Sequence, residues 1–517
     1  MAKGKVYLVG AGPGDPKLIT IRGLEALQRS DVVVYDRLAG PQLLHRIPET
    51  AERIYVGKRP DRHTMKQEEI NRLLVELALE GKTVCRLKGG DPTVFGRVGE
   101  EAELLKMHGI PYEMIPGITS AISVPAYAGI PVTHRDMASS FSVITGHESP
   151  DKLDRSIQWD KVTNATGTLV FLMGVAKIGY ISEQLIKHGR PETTPVALVR
   201  WGTRAEQATL VGTLRDIEAK VKEAGFEPPA VIVVGEVVRQ REKLQWIEEK
   251  PLFGRRILVT RARSQASELV QRIDELGGEP YEYPVIETRM KEDPKTEAAV
   301  REALARAETY DWVMLTSANG VDFFFRWLDR CGVDVRRFAH AEFAAVGPKT
   351  AAALRARGIV AGALPESFRA EGLLASLSGR LQPGQNALLP RGDLARDLLP
   401  RELEAMGLSV TSLDTYENVL AAPRDEWLVE LLREGGIHAV TFTSSSTVDN
   451  LLEALRRQGA ESPEELLSGV PAVCIGPQTA RTAEARGLAV AATAEPATIE
   501  GLVQALIGLG RGAAGQA

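Results

Sequence analysis

The chain is 517 residues long, 44% hydrophobic and 25% charged, with a formal net charge of −5. That length exceeds what one hydrophobic core usually supports, and the balance is that of an ordinary globular protein, so about two to four domains are expected. The weakly acidic balance, with no long Lys/Arg run, gives no general reason to bind nucleic acid, and apolar stretches such as Val231–Val234 fall far short of the roughly 20 residues needed to cross a bilayer.

Met1-Ala2-Lys3-Gly4-Lys5 runs straight into an apolar, strand-like segment, with neither a signal-peptide core nor an Arg/Ser-rich transit peptide, which implies a cytoplasmic location. Cys85, Cys331 and Cys474 lie far apart in or beside apolar segments and read as core or incidental residues, not as a disulfide framework or metal site. Short β-branched runs (Val6–Val9, Val32–Tyr35, Thr83–Leu87) alternate with helix-like stretches such as Gln67–Glu80. This pattern predicts an α/β fold with a largely parallel sheet. It continues through Thr168–Met173, Val196–Arg200 and Ala230–Val234, then ends in a charged, Pro-containing stretch from Arg239 to Phe253, where the main domain boundary is placed.

Val9-Gly10-Ala11-Gly12-Pro13-Gly14-Asp15-Pro16 follows a strand directly, so backbone amides there can approach a ligand closely. A dinucleotide fingerprint is disfavoured, because Asp15 stands where glycine or alanine is needed and Pro13 lacks a donor. A second Gly-rich turn, Lys88-Gly89-Gly90-Asp91-Pro92, also follows a strand, and two such turns in one sheet face a common crevice. Pro116-Gly117-Ile118-Thr119-Ser120-Ala121, Ala126-Tyr127-Ala128-Gly129-Ile130-Pro131 and Thr133-His134-Arg135 come next. His63, His134 and His147 have no His or Cys partner three or four residues on and read as structural or substrate-rim residues, so no metal site is expected.

These blocks, with Tyr35-Asp36, Val56-Gly57-Lys58-Arg59 and Leu172-Met173-Gly174, resemble the uroporphyrinogen III C-methyltransferases of the tetrapyrrole methylase family over roughly residues 4 to 245. The resemblance implies a two-lobed α/β fold, commonly a homodimer through this domain. It also implies S-adenosyl-L-methionine in the cleft and methylation at C2 and C7 of uroporphyrinogen III to give precorrin-2. Carried over by position, Pro13, Gly89, Gly90, Asp91, Val94, Thr119, Ser120, Met173 and Gly202 would surround the cofactor. Val94 stands where the family often has Ile or Met, a minor departure at an apolar contact. Asp36 resembles the family's proton acceptor and Lys58 its proposed donor, while Arg97, Glu100 and Arg135 match residues proposed to hold or work on the tetrapyrrole. The other reading of Asp36 is a strand-end carboxylate that caps a turn. Guanidinium groups suit an eight-carboxylate substrate, because their planar fork matches carboxylate geometry.

Beyond the boundary the chain repeats itself. Ile257–Gly277 is echoed by Ala387–Gly407, Leu315-Thr316-Ser317 by Phe442-Thr443-Ser444, and Gly347-Pro348-Lys349-Thr350-Ala351 by Gly476-Pro477-Gln478-Thr479-Ala480, at near-constant spacing. Two similar α/β lobes are expected, without a serine–histidine–acid set, a phosphate loop or a metal cluster. The duplicated blocks resemble uroporphyrinogen III synthase over about 255 to 508, which implies closure of hydroxymethylbilane with inversion of ring D. The implied fold is two lobes joined by a two-stranded linker, here Tyr281–Arg289 and Val410–Val419. Tyr416 matches the family tyrosine suspected of assisting loss of the hydroxyl, or else packs between lobes. Ser317, Thr350, Ser444 and Thr479 are candidate contacts for the substrate's carboxylates, although both threonines could instead cap helices.

The expected organisation is therefore a methyltransferase at 1–245, a linker at 246–254, and a synthase at 255–510 with lobes at about 255–285 plus 420–510 and 290–410. Two other readings stay open. The first half could methylate another corrin precursor or diphthine, and the second could bind tetrapyrrole without cyclising it.

Overall fold

The computed structural model describes residues 3–57, 65–146, 157–261, 263–365, 370–393, 395, 397–421, 425 and 427–510, without the side chains of 41 and 263–267. The described residues form four five-stranded sheets, two in each half, and the two of the second half interleave along the chain. In the first, β1 (Val6–Gly10), β2 (Val32–Tyr35), β3 (Glu52–Tyr55), β4 (Val84–Lys88) and β5 (Tyr112–Ile115) lie in the order β3-β2-β4-β1-β5, all parallel. Helices cover both faces of such a sheet, so Val32, Val33, Val34 and Tyr35 are buried in succession and not alternately.

The second sheet departs from the parallel expectation. It contains β6 (Phe141–Thr145), β7 (Thr168–Leu172), β8 (Pro195–Arg200), β9 (Ala208–Thr213) and β10 (Ala230–Val234) in the order β6-β7-β10-β8-β9. Only β6 and β7 pair in parallel. Residues 201–207 between β8 and β9 are too short a span for a crossover, which needs about a dozen residues, so these strands form a hairpin.

In the second half, β11 (Arg256–Val259), β12 (Glu279–Glu282), β18 (Ala439–Phe442), β19 (Ala472–Cys474) and β20 (Val490–Thr493) form a parallel sheet in the order β12-β11-β18-β19-β20. The intervening β13 (Ile286–Met290), β14 (Trp312–Leu315), β15 (Glu342–Ala345), β16 (Asn386–Gly392) and β17 (Ser409–Leu420) form the other, in the order β13-β17-β16-β14-β15. The chain thus leaves one lobe after β12 and returns before β18. The linking ribbon is the antiparallel pair β13–β17, and Tyr281, expected in it, belongs to β12. Among the described residues no helix is long and apolar enough to cross a membrane.

The stretch that the sequence marks as a linker is packed. Trp246 Nε1 donates to Ala126 O at 3.1 Å, and Leu252 is fully buried against β11 and its neighbours. Charged groups join the halves beyond it. Arg256 donates to Glu206 at 2.7 Å and to Glu279 at 2.9 Å, and Glu279 also accepts from the backbone of Ala205 at 2.8 Å. Nearby, Asp425 Oδ2 accepts from Tyr281 at 2.7 Å and lies 3.1 Å from His45 Nε2.

Burial alone would raise the Asp425 carboxyl, but hydrogen bonds with His45 and Tyr281 and from the Trp427 amide hold it below its ordinary value. A depressed carboxyl contributes stability above its unfolded value and loses it as pH falls through the folded one. Asp425→Ala is therefore expected to cost about 3 kcal/mol at pH 7, seen as a lower Tm. The difference should vanish in acid, below the ordinary carboxylate range, and a variant as stable as the parent at pH 7 would remove this cluster from the interface.

Candidate active sites

In an open α/β sheet the loops leaving the carboxyl ends of the strands make the ligand crevice. In the first half these are the loop after β1, Asp36 after β2, Gly89–Asp91 after β4 and Pro116–Thr119 after β5. Their backbones touch. Gly12 N donates to Gly90 O at 3.2 Å, and Gly90 N donates to Gly12 O at 2.7 Å. A Cβ on Gly10 would sit 2.5 Å from Gly117 Cα, and one on Gly117 would sit 2.3 Å from Gly90 O. Asp91 ties the same loops: its Oδ2 accepts from Gly117 N at 2.9 Å and its Oδ1 from Thr93 N at 2.7 Å. Thr119 caps the helix Ser120–Tyr127 by accepting from Ala121 N at 3.3 Å, so the amino end of that helix opens beside Gly90.

The second sheet supplies the opposite wall. Thr203 Oγ1 accepts from Asp15 N at 3.0 Å, Arg204 donates to Leu38 O at 3.3 Å, and Tyr127 donates to Asp15 Oδ2 at 2.8 Å. Met173 follows β7 and Gly202 follows β8, on the same side as these contacts. Among the described residues the non-glycine residues with positive φ are Phe95 (55°), Arg97 (57°), Met173 (57°), Trp201 (46°) and Thr203 (75°). All five lie on loops after β4, β7 and β8. Each such conformation costs on the order of 1–3 kcal/mol, and strain of this kind gathers where a ligand site dictates the backbone.

Asp36 does cap a turn: its Oδ1 accepts from Leu38 N at 3.1 Å. Its Oδ2, however, accepts from Arg86 Nη2 at 3.3 Å, and the side chain keeps 26% exposure beside Arg37, Trp201 and Arg204. Arg86 is the outer member of a buried charge cluster that the sequence reading missed. Its Nε faces Glu101 Oε1 at 3.4 Å, and Lys88 Nζ donates to the same oxygen at 2.7 Å. Burial lowers the Lys88 ammonium below its usual value, an effect that Glu101 opposes. A signal was available, because β4 is central and buried, yet Arg86 and Lys88 stand two apart on one of its faces.

Arg97 and Glu100 pair with each other in an exposed two-pronged bridge of 2.8 and 2.7 Å, and the bridge holds the Glu100 carboxyl below its usual value. Arg135 lies in an exposed turn. Pro13 and Val94 are partly buried on the crevice loops. Lys58 lies outside the described residues.

In the second half, equivalent groups occupy the carboxyl ends of both sheets. Ser317, after β14, caps the helix Ala318–Cys331 by accepting from Gly320 N at 2.9 Å, and Ser444 opens the helix Ser445–Arg457 after β18. Gly347 and Gly476 hold the cap positions of the paired Gly-Pro helices, so Thr350 and Thr479 are not caps but buried first-turn residues. Tyr416 lies on β17, paired with Met290 of the linking ribbon. Its ring stacks on Phe323 at 5.2 Å and its hydroxyl is 3.0 Å from Ser317 Oγ. Burial raises the phenol above its usual value, and the Ser317 contact opposes this. Lys349, at the start of one Gly-Pro helix, reaches Glu268 of the other lobe at 3.7 Å, across the space between the lobes.

Two family models match the chain: "Tetrapyrrole (Corrin/Porphyrin) Methylases" over residues 5–218, and "Uroporphyrinogen-III synthase HemD" over residues 267–504. The chain is similar along its length to the porphyrin biosynthesis protein HemD of Ruminiclostridium josui, at 40% identity over 512 residues and 99% of each chain. A uroporphyrinogen-III C-methyltransferase of Bacillus subtilis is 39% identical over 480 residues, 93% of each chain. An S-adenosyl-L-methionine-dependent uroporphyrinogen III methyltransferase of Methanosarcina barkeri is 52% identical over 241 residues, 47% of this chain and 94% of that one.

Proposed function

The chain belongs to the family that joins a tetrapyrrole methylase to a uroporphyrinogen-III synthase, and from this we propose that its second half makes the substrate of its first. The synthase half closes hydroxymethylbilane to uroporphyrinogen III with ring D inverted. The methyltransferase half adds methyl groups at C2 and C7 to give precorrin-2. The observation that carries the reading is the colinear likeness over 99% of the chain to a porphyrin-biosynthesis protein, with both family models in that order. The domains fall at 1–245 and 255–510, and homodimerisation through the first half is proposed on family resemblance.

The first crevice suits S-adenosyl-L-methionine. A Cβ at Gly90 would meet nothing nearer than Ser120 N at 3.8 Å, so the absence of a side chain, at a φ of 68°, leaves room for a ligand against its Cα. When bound, S-adenosyl-L-methionine supplies an electrophilic methyl on a sulfonium. Pro13, Gly89, Gly90, Thr119 and Ser120 would hold it by their backbone, with Val94, Met173 and Gly202 as apolar walls and Asp91 fixing the loops. Methyl addition leaves the ring cationic, and loss of one proton to the Asp36 carboxylate restores neutrality. Lys58 is proposed as a proton donor, and Arg97, Glu100 and Arg135 as groups at the tetrapyrrole rim.

In the second site, cleavage of the hydroxymethyl C–O bond releases water, and a new C–C bond closes the ring with loss of a proton. Tyr416 donates to the departing hydroxyl, while Ser317, Ser444, Thr350 and Thr479 line the substrate's carboxylates through hydroxyls or adjacent amides. Tyr416→Phe keeps the stack on Phe323 and removes the donor. Cyclisation to the type III isomer is expected to slow about 10- to 100-fold, with more spontaneous type I product, and an unchanged rate would remove Tyr416 from the reaction.

The deciding experiment is anaerobic incubation of the full chain with hydroxymethylbilane and S-adenosyl-L-methionine, followed by mass and absorbance analysis. A dimethylated type III product supports both halves. Unmethylated type III refutes the first half's assignment, and type I alone refutes the second's.

A further inference from the structure

The buried charges behind Asp36 have no structural need to be charges. β4 lies between β1 and β2, and Arg86 on it is 4% exposed. A well-packed apolar side chain there would stabilise the sheet as well as a buried ion cluster does. The guanidinium is held from three sides: by Glu101 Oε1 at 3.4 Å, Val34 O at 3.4 Å and Leu87 O at 3.1 Å. Its remaining nitrogen, Nη2, points to Asp36 Oδ2 at 3.3 Å, while Leu38 N fixes the other carboxylate oxygen at 3.1 Å. Glu101 is 1% exposed and directs one oxygen to Gln67, Lys88 and Arg86, while its other oxygen has no hydrogen-bond partner among the described residues.

We propose that Arg86, braced by Glu101, is a positioning residue that sets the orientation of the Asp36 carboxylate for the proton released during methyl transfer. The inference rests on Asp36 being the proton acceptor. The carboxylate receives the proton and returns it to solvent before the next turnover, and Arg86 itself neither gains nor loses one. Lys88 and Gln67 donate to the same Glu101 oxygen at 2.7 and 3.0 Å, so Glu101 stays where it can hold the guanidinium.

The test is a double-mutant cycle in the full chain with Arg86→Gln and Asp36→Asn. Arg86→Gln alone is expected to lower kcat for methyl transfer by about 10- to 100-fold, the scale of an ångström misplacement of a reacting group. KM for S-adenosyl-L-methionine should stay within about twofold, and hydroxymethylbilane cyclisation in the same chain reports intact folding. If Arg86 acts through Asp36, the double variant is no slower than Asp36→Asn alone, because the second loss has nothing left to remove. Losses that multiply, or an Arg86→Gln rate equal to the parent's, overturn the proposal. Should Arg86→Gln lose cofactor affinity or cyclisation, the isosteric Glu101→Gln takes its place in the cycle with the same reading. An Asp36→Asn variant at full rate would instead overturn the acceptor role of Asp36, a different failure from multiplying losses.

Discussion

Asp36→Asn is expected to lower kcat for methyl transfer by about 10²- to 10⁴-fold, the usual contribution of a positioned general base, without slowing hydroxymethylbilane cyclisation. The substitution separates the two readings of this residue. Asparagine keeps an oxygen able to accept from Leu38 N, the 3.1 Å contact that caps the turn, so a merely capping Asp36 would lose little. It cannot take a proton at neutral pH, and its amide nitrogen would set a donor against Arg86 Nη2 if the oxygen stayed on Leu38. Steady-state rates with a fixed excess of S-adenosyl-L-methionine would show the loss in kcat. A parent-like rate would leave Asp36 as a cap only.

What the sequence made legible follows from where its information is local. Strand–glycine junctions such as Leu87-Lys88-Gly89-Gly90 and the doubled Gly-Pro-x-Thr-Ala blocks mark the carboxyl ends of strands, and the structure places them there. Pairing order is set by distant partners. Nothing in Ala230–Val234 says that it will insert antiparallel between β7 and β8. Thr350 and Thr479 look like caps because they follow Gly-Pro, yet the glycine takes the cap position and the helix periodicity turns the threonines inward. Arg256 acquires its partners only in the fold, where Glu206, 50 residues earlier, and Glu279 are brought against it. Arg86 and Lys88 are legible, because two charges alternate with apolar residues on a short strand, but the partners that bury them, Asp36 and Glu101, come from distant elements.

Gly117→Ala is expected to abolish methyl transfer while leaving cyclisation intact, so that uroporphyrinogen III accumulates unmethylated. The new Cβ would lie 2.3 Å from Gly90 O and 2.8 Å from Gly10 Cα. Both neighbours are backbone at the ends of the adjacent strands β4 and β1, so neither can swing aside as a side chain would. Parting them breaks the Gly12–Gly90 bonds of 3.2 and 2.7 Å and the Asp91–Gly117 bond of 2.9 Å, which together set the spacing of the three loops. Overpacking of this kind costs roughly 1–3 kcal/mol, within reach of a domain whose sheet stays buried, so the chain should fold with a spoiled crevice. Calorimetry should show S-adenosyl-L-methionine affinity reduced by about 100-fold or more, the result of misplacing several backbone contacts at once. Gly99→Ala is the matched control, since it lies in the helix Val98–Met107 with nothing within 4 Å of an added Cβ and should leave binding unchanged. If Gly117→Ala bound the cofactor like the parent, the loops could spread without consequence, and their close approach would not be what shapes the site.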